Sequence, residues 1–357
     1  VANEDLPPLY RRWAEGFLPA PIERERLATC DRCIMLDPSS LAPEELYNPK
    51  TKCCTYTPDL PNYLAGRILA DTDPAMQPAR RFLEMRVAGG AGVTPISVAP
   101  TPVYVHLYDH RAPAAFGRTP ILRCAFYVND GGRCGIHQHR DGVCSTWFCK
   151  HNRAGSGRAF WTAIRNVFKV IERTLVWWAV DQSDLDAAAR LAIVGMDQQV
   201  KQLDQFQISG VASPALRQHL WGNFAGREAE FFRGCAERVE ALSWPEVLAI
   251  GGGVLAYQIR IAREAQARLA DPRLPERVTR GTGVIQLGPR PGTVRLRVFG
   301  ASPAEAGVMP TRAVELAAQL TNGPLAPTLA RLRAAGHDID DDAVRTLLDY
   351  QVLVPRA

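Results

Sequence analysis

At 357 residues and 46% hydrophobic content, the chain is long enough for one large or two to three smaller domains with packed cores, and it needs no disulfides to fold. Its 42 basic and 37 acidic residues leave a net charge of +5, and the bases are scattered rather than gathered into a run, so there is no strong case for nucleic acid. Residues 1–8 lack the charged start and apolar run of a signal peptide, and the most apolar stretch, 174–180, is far shorter than a membrane span, so a cytoplasmic chain with no membrane partner is expected.

Residues 1–158 are rich in Pro, Gly and Cys, with short apolar runs such as 103–107 and 121–128 and few helical periodicities, which predicts an irregular domain. The texture then changes to long amphipathic helices. Phe160, Ile164, Val167, Phe168, Ile171 and Leu175 follow a 3.6-residue period, and 185–203 repeats the pattern. Ser213-Pro214 supplies an N-cap with Pro at the first helical position, and Ser243-Trp-Pro-Glu246 has capping-box spacing, so 159–270 reads as a bundle of about four helices. Residues 271–280 are charged and contain Pro, as a linker does. Beyond them, 283–287 and 293–299 alternate as strands, helices are predicted over 311–320, 325–335 and 341–350, and 352–354 closes as a strand. The predicted fold class is α+β, mainly α, with a winged-helix-like module over 281–357.

Eight of the nine cysteines fall between Cys30 and Cys149. They stand as Cys30-x2-Cys33, Cys53-Cys54, then Cys124, Cys134, Cys144 and Cys149. In a reducing compartment such a set favours metal over disulfides, and thiolates select zinc or iron-sulfur chemistry over magnesium or calcium. The neighbours Cys53 and Cys54 point in different directions, so two centres, or one centre and a spare thiol, follow more easily than a single ion. Eight thiols divide into two sets of four, the number each iron-sulfur cubane needs. Zinc or mononuclear iron is the alternative, since Cys30-x2-Cys33 and Cys144-x4-Cys149 have zinc-knuckle spacing. Residues 1–158 are thus expected to form a cysteine-rich metal or iron-sulfur domain.

The ordered elements Cys30 and Cys33, Cys53-Cys54, Cys124-Ala-Phe126, Cys134-Gly-Ile136, Arg140, Cys144 and Cys149 resemble the YkgJ-like family of zinc- or iron-chelating cysteine-cluster proteins. The segment is also similar to the cluster region of flagellin lysine N-methylases. The first resemblance implies metal at the eight cysteines. The second implies a 4Fe-4S cluster, S-adenosylmethionine as co-substrate and protein modification as the reaction.

Around the cysteines, His137, His139 and His151 are candidate ligands or proton carriers, with His151 favoured because Cys149-x-His151 puts both side chains on one side of an extended segment. Arg140 and His151 are the candidate cofactor contacts. Arg133, Lys150, Arg153 and Arg158 add positive charge that would stabilise an anionic cluster or receive an acidic group. Gly89-Gly-Ala-Gly92 and Gly155-Ser-Gly157 lack nucleotide-loop endings and read as flexible loops, and Gly251-Gly-Gly253 as a helix contact or kink. Trp147, Phe148, Phe160, Trp161, Trp177 and Trp178 would form an aromatic shell or ordinary core, and Cys235 reads as a buried small hydrophobe. The C-terminal module looks similar to winged-helix domains that clasp leader peptides, so a peptide or protein partner is expected there. Asp340-Asp-Asp342, at the start of its last helix, would repel DNA phosphates.

Overall fold

Apolar residues recur at helical spacing through most of the chain, and the computed structural model is accordingly 54% helix against 9% strand, an α+β fold that is mainly α. It describes residues 6–199 and 209–356. The helices are α1 (Pro8–Phe17), α2 (Asn62–Ala70), α3 (Gln77–Gly89), α4 (Pro102–Ala115), α5 (Gly142–Thr146), α6 (Ala154–Asp181), α7 (Ala187–Gln199), α8 (Pro214–Trp221), α9 (Glu228–Ala241), α10 (Trp244–Ala270), α11 (Thr311–Leu320), α12 (Leu325–Ala334) and α13 (Asp341–Asp349). Residues 200–203 of the helix predicted over 185–203 lie outside the described residues.

The first region is less irregular than its composition predicts. Five helices fall within it, and the apolar run 103–107 is helical, inside α4. Pro accounts for the difference, because in α1, α3 and α4 it stands in the first turn, where its missing N–H is not needed and its fixed φ favours the helix.

The described residues form two compact units, each drawn from separated segments. The first comprises 1–24, 47–147 and 164–261, and the second 25–46, 148–163 and 262–357. The units therefore cut across the three regions legible in the sequence, and α6 and α10 each contribute to both.

In the first unit α9 packs along α2. A Cβ at Gly66 would lie 1.9 Å from the Phe232 carbonyl oxygen, so only glycine permits this approach. Cys235 is buried in the same packing, as a small hydrophobe. All six periodic residues of α6 from Phe160 to Leu175 are buried. Strands β1 (Leu60–Pro61), β2 (Val93–Thr94) and β3 (Ser97–Val98) form a small sheet in the order β1-β3-β2, and β4 (Tyr127–Val128) pairs antiparallel with β5 (Arg133–Cys134). Ser213 caps α8 by accepting from the Leu216 amide, and Glu246 accepts from the Ser243 amide at 2.8 Å, as their spacing predicts. Gly252, at φ 57°, breaks the helical path of α10 and makes Gly251-Gly-Gly253 a kink. Among the described residues no single helix is long and apolar enough to cross a membrane; α9 and α10 meet that test only as a pair bent by 97°.

In the second unit β6 (Val278–Arg280) pairs antiparallel with β10 (Leu353–Pro355), and β7 (Val284–Leu287), β8 (Thr293–Arg297) and β9 (Gly307–Pro310) form an antiparallel sheet in that order. Val294, Leu296 and Met309 from this sheet meet Leu316, Leu320, Leu329, Val344 and Leu347 from α11 to α13 in one core. The segment 271–280, predicted as a linker, ends in β6, which supplies Val278 to that core. Arg153 grips Asp349 with two hydrogen bonds, at 2.5 and 3.0 Å.

One half-buried carboxyl organises the first unit beside the cysteines. Glu172 of α6 accepts from the Tyr10 hydroxyl and, at 2.7 Å, from the Gly142 amide that opens α5. Burial and then the nearby Asp141 charge push its carboxyl up to about 8. Between the ordinary carboxyl range and that value the folded chain keeps a proton that the unfolded chain has released, so stability falls as pH rises through this window and levels off above it. Thermal unfolding followed from pH 5 to 9 should show the decline, and Glu172→Gln should flatten it; an unchanged slope in the variant would refute the assignment to Glu172.

Candidate metal centre

Three segments of the first unit bring five cysteines together. The loop carrying Cys53 and Cys54 begins as a tight turn in which the Thr51 and Lys52 amides both donate to the Asn48 carbonyl, and the Cys54 amide donates to Thr51. Lys52 takes φ 49°, a left-handed conformation costly for a residue with a side chain, and its ammonium donates to the Gly132 carbonyl at 2.8 Å. Thr51 and Thr55, both fully buried, tie the loop to Gly117: the Thr51 hydroxyl donates to its carbonyl at 3.0 Å, and its amide donates to the Thr55 hydroxyl at 2.7 Å.

The second segment is docked onto the first by a backbone bond, from the Cys124 amide to the Cys54 carbonyl at 2.8 Å. The β4-β5 hairpin follows, with Tyr127 opposite Cys134. The Gly135 amide donates to the Phe126 carbonyl at 2.7 Å, and a Cβ at Gly135 would sit 3.0 Å from that oxygen. In the pattern Cys124-x-Phe126 and Cys134-Gly-Ile136, Phe126 and Ile136 are thus buried anchors, and the glycine allows the two strands to close. The third segment is α5, whose N-cap Asp141 accepts from the Cys144 amide at 3.0 Å.

The thiols lie close enough to resist one another's ionisation. Cys54 is pushed far up by its hydrogen bond with the Cys53 thiol, then by burial and by the charges of Cys53, Cys134 and Cys124. Burial pushes Cys124 up to about 12, with Cys134 and Asp141 adding to it. Cys144 is raised by burial, then by Asp141 and Cys134. Asp141 is itself pushed up by burial, against its bonds to Cys144 and the charge of Arg140. A soft cation would supply the positive charge that lets crowded thiols ionise, and thiolates as a donor type suit iron-sulfur clusters or zinc. Among the described residues, no group of three or more His, Cys, Asp or Glu side chains is placed so that it could hold a metal ion as it stands.

The other sequence candidates are placed differently. Cys30, Cys33 and Cys149 belong to the second unit, together with His151, so the eight cysteines divide five and three rather than four and four. His139 is engaged at both nitrogens, with Asp71 on Nε2 at 2.6 Å and the Arg67 guanidinium donating to Nδ1 at 3.4 Å, which removes it as a ligand. His137 is exposed in the turn between Cys134 and Cys144. Arg153 is spent on Asp349, and Arg158 donates to the Phe299 carbonyl. Of the glycine clusters, Gly90 ends α3 with a left-handed φ of 67°, and Gly155 and Gly157 are helical, in the first turn of α6. Reading the latter as a flexible loop was a misjudgement, because a Cβ at Gly155 would meet the Asp349 carbonyl at 2.7 Å and this helix start needs bare backbone.

The aromatic shell differs from the one predicted. Trp147 is 44% exposed, while Phe160 and Trp161 are core. Three tyrosines missed at the sequence level face the cysteines instead. Tyr104 and Tyr108 stack on α4 with centroids 6.0 Å apart, and Tyr56 meets Tyr108 edge-on at 5.9 Å. The Cys144 charge raises Tyr56 and Tyr108, after burial and other acidic neighbours, and that of Cys124 contributes to Tyr104. The Tyr104 hydroxyl donates to the Thr55 carbonyl at 2.6 Å and accepts from the Thr57 amide at 2.8 Å, bracing the strand that leaves Cys54. Their signal in the sequence was the i, i+4 spacing of Tyr104 and Tyr108. Compared with known proteins, the chain matches no family model, no curated protein and no solved structure.

Proposed function

We propose that this chain is a cytoplasmic iron-sulfur protein whose 4Fe-4S cluster is held by Cys54, Cys124, Cys134 and Cys144, with Cys53 as an adjacent spare thiol. The observation that carries this reading is the convergence of three independently braced segments on five thiols, anchored by the Cys124 to Cys54 backbone bond. Such a cluster supplies one-electron chemistry, alone or in S-adenosylmethionine-dependent group transfer to a peptide or protein. The protein's own part is to exclude water and fix the ligands. Phe126 and Ile136 bury the hairpin that carries Cys124 and Cys134, Asp141 fixes the start of α5, and the Tyr56, Tyr104 and Tyr108 wall encloses one side.

The second unit fits a winged-helix-like docking module for that peptide or protein, since a three-stranded sheet is followed by three helices on one core. A DNA-reading role is disfavoured. Three aspartates stand at the start of α13, and its sole base, Arg345, donates to the Pro272 carbonyl at 2.7 Å.

Anaerobic purification should give brown protein with broad visible absorption and iron and sulfide in near-equal amounts. Colourless protein carrying zinc alone would sink the proposal. Serine at Cys54, Cys124 and Cys134 together should abolish the iron, whereas serine at Cys53 should leave most of it; full retention in the triple variant refutes the ligand set. Group transfer has its own check, equilibrium dialysis of S-adenosylmethionine against the reconstituted protein, and absence of binding leaves electron transfer as the activity.

A further inference from the structure

The second unit has a strand edge left open. β7 stands at the outside of the order β7-β8-β9, and its partner β8 fixes which of its groups face outward. In an antiparallel pair, hydrogen-bonded and non-bonded positions alternate. The Gly288 amide donates to the Thr293 carbonyl at 3.0 Å and the Thr311 amide to the Gly292 carbonyl at 2.9 Å, so Thr293, Arg295 and Arg297 bond towards β7 while Val294 and Leu296 bond towards β9. Ile285 and Leu287, opposite Leu296 and Val294, therefore point their amides and carbonyls out of the sheet. Among the described residues no backbone group pairs with them. Such an edge is a template on which an extended chain adds as a further strand.

The side chains of the same two residues are equally uncovered. Residues directly opposite in an antiparallel pair share a face, so Ile285 and Leu287 lie on the face of Leu296, Val294 and Met309. Those three are buried against α11 to α13, yet Ile285 is 41% and Leu287 93% exposed. The helices close over β8 and β9 and leave the apolar face of β7 as a bare shelf beside the open edge. The surroundings are basic. Residues 278–310, β6 through β9, contain four arginines and one acidic residue, Glu305, which is buried. Arg290 stands in the turn after β7 and Arg280 four residues before it, both exposed, and Arg295 lies opposite Gln286 on the other face of the sheet. None of these three guanidinium groups has an ion-pair or hydrogen-bond partner among the described residues.

We propose that the β7 edge docks an extended acidic segment of a partner protein. The segment adds as a strand through the backbone of Ile285 and Leu287. Its alternate side chains are apolar on the face of that pair and acidic on the face of Arg295, with Arg280 and Arg290 meeting carboxylates at its two ends. This rests on the docking role proposed for the second unit, to which it adds the surface and the partner's chemistry, and it is independent of the cluster. A second copy of the chain is a poor occupant. Antiparallel pairing of β7 with its own copy would bring Arg290 of one chain towards Arg280 of the other, like charge on like, whereas an acidic segment neutralises both.

The probe is a fluorescein-labelled peptide of alternating Glu and Val, with an alternating Lys and Val peptide as its counterpart, each titrated with the full chain and followed by fluorescence anisotropy. The acidic peptide should bind at least about tenfold more tightly than the basic one, with the difference shrinking as salt rises. Leu287→Pro removes the shelf and the outward amide without breaking a bond of the sheet, so it should weaken acidic-peptide binding at least about tenfold while the melting temperature holds. Arg290→Glu/Arg295→Glu should reverse the preference in favour of the basic peptide, a change of sign that misfolding does not produce. Equal binding of the two peptides, or acidic-peptide binding unchanged in Leu287→Pro, overturns the edge proposal and leaves the docking role to another surface. No binding of either peptide overturns both. A dimer in solution that Leu287→Pro dissociates also overturns the proposal, since a second copy then fills the edge.

Discussion

The amide of Cys124 donates to the carbonyl of Cys54, and the geometry of the first unit's cysteines depends on that bond. It joins segments 70 residues apart in the chain, and it does so through main-chain atoms rather than through sulfur. The loop on one side is held by Thr51, Thr55 and the ammonium of Lys52, and the hairpin on the other by Phe126 and Gly135. Each brace uses a backbone carbonyl or a hydroxyl, so no sulfur is needed to hold the loops in place.

Gathering the thiols has an electrostatic consequence. Two thiolates 4 Å apart repel by about 4 kcal/mol at an effective dielectric of 20, and several such pairs would together rival the whole stability of a domain, about 5–15 kcal/mol. Burial is the first cause of the upward displacement of Cys124 and Cys144, and the Cys53 hydrogen bond followed by burial that of Cys54; the repulsion of the neighbouring thiols and, at Cys124 and Cys144, of Asp141 adds to it. The group therefore has two stable conditions, protonated or neutralised by a cation. A buried Asp141 next to Cys144 would be an odd choice for the first, since it adds negative charge where none is wanted; beside a metal it becomes a partner that orients the α5 backbone. Glu172, which holds the neighbouring Gly142 amide, keeps its proton to higher pH through burial first and the Asp141 charge second.

Much of the fold was legible because periodicity reports burial directly. All six residues picked out along α6 are buried, the cap at Ser213 forms, and the three C-terminal helices lie within a residue of their predicted ends. The cysteines, too, stood out by number and clustering. Their division did not, because which loop meets which is decided by tertiary hydrogen bonds such as Asn152 to Glu25 that leave no periodic trace. The same holds for the tyrosine wall, since Tyr56 and Tyr108 are 52 positions apart and meet only once α4 is in place. Proline and glycine misled where they were read as loop formers. In α1, α3 and α4 proline opens helices, and at Gly155 glycine serves the close approach of Asp349.

Dividing the cysteines five and three also bears on what each set can do. A cubane takes four thiolates and rewards a wide enclosure of soft donors, and the first unit offers five thiols backed by aromatic rings. The second unit holds the other three, Cys30, Cys33 and Cys149, one fewer than a cubane takes. In that unit His151 Nδ1 lies 3.0 Å from the buried Glu305 carboxyl, a contact that ties the start of α6 to the turn before β9. The two sets therefore differ in number as well as in place, and only the first has enough thiols to complete a four-thiolate shell.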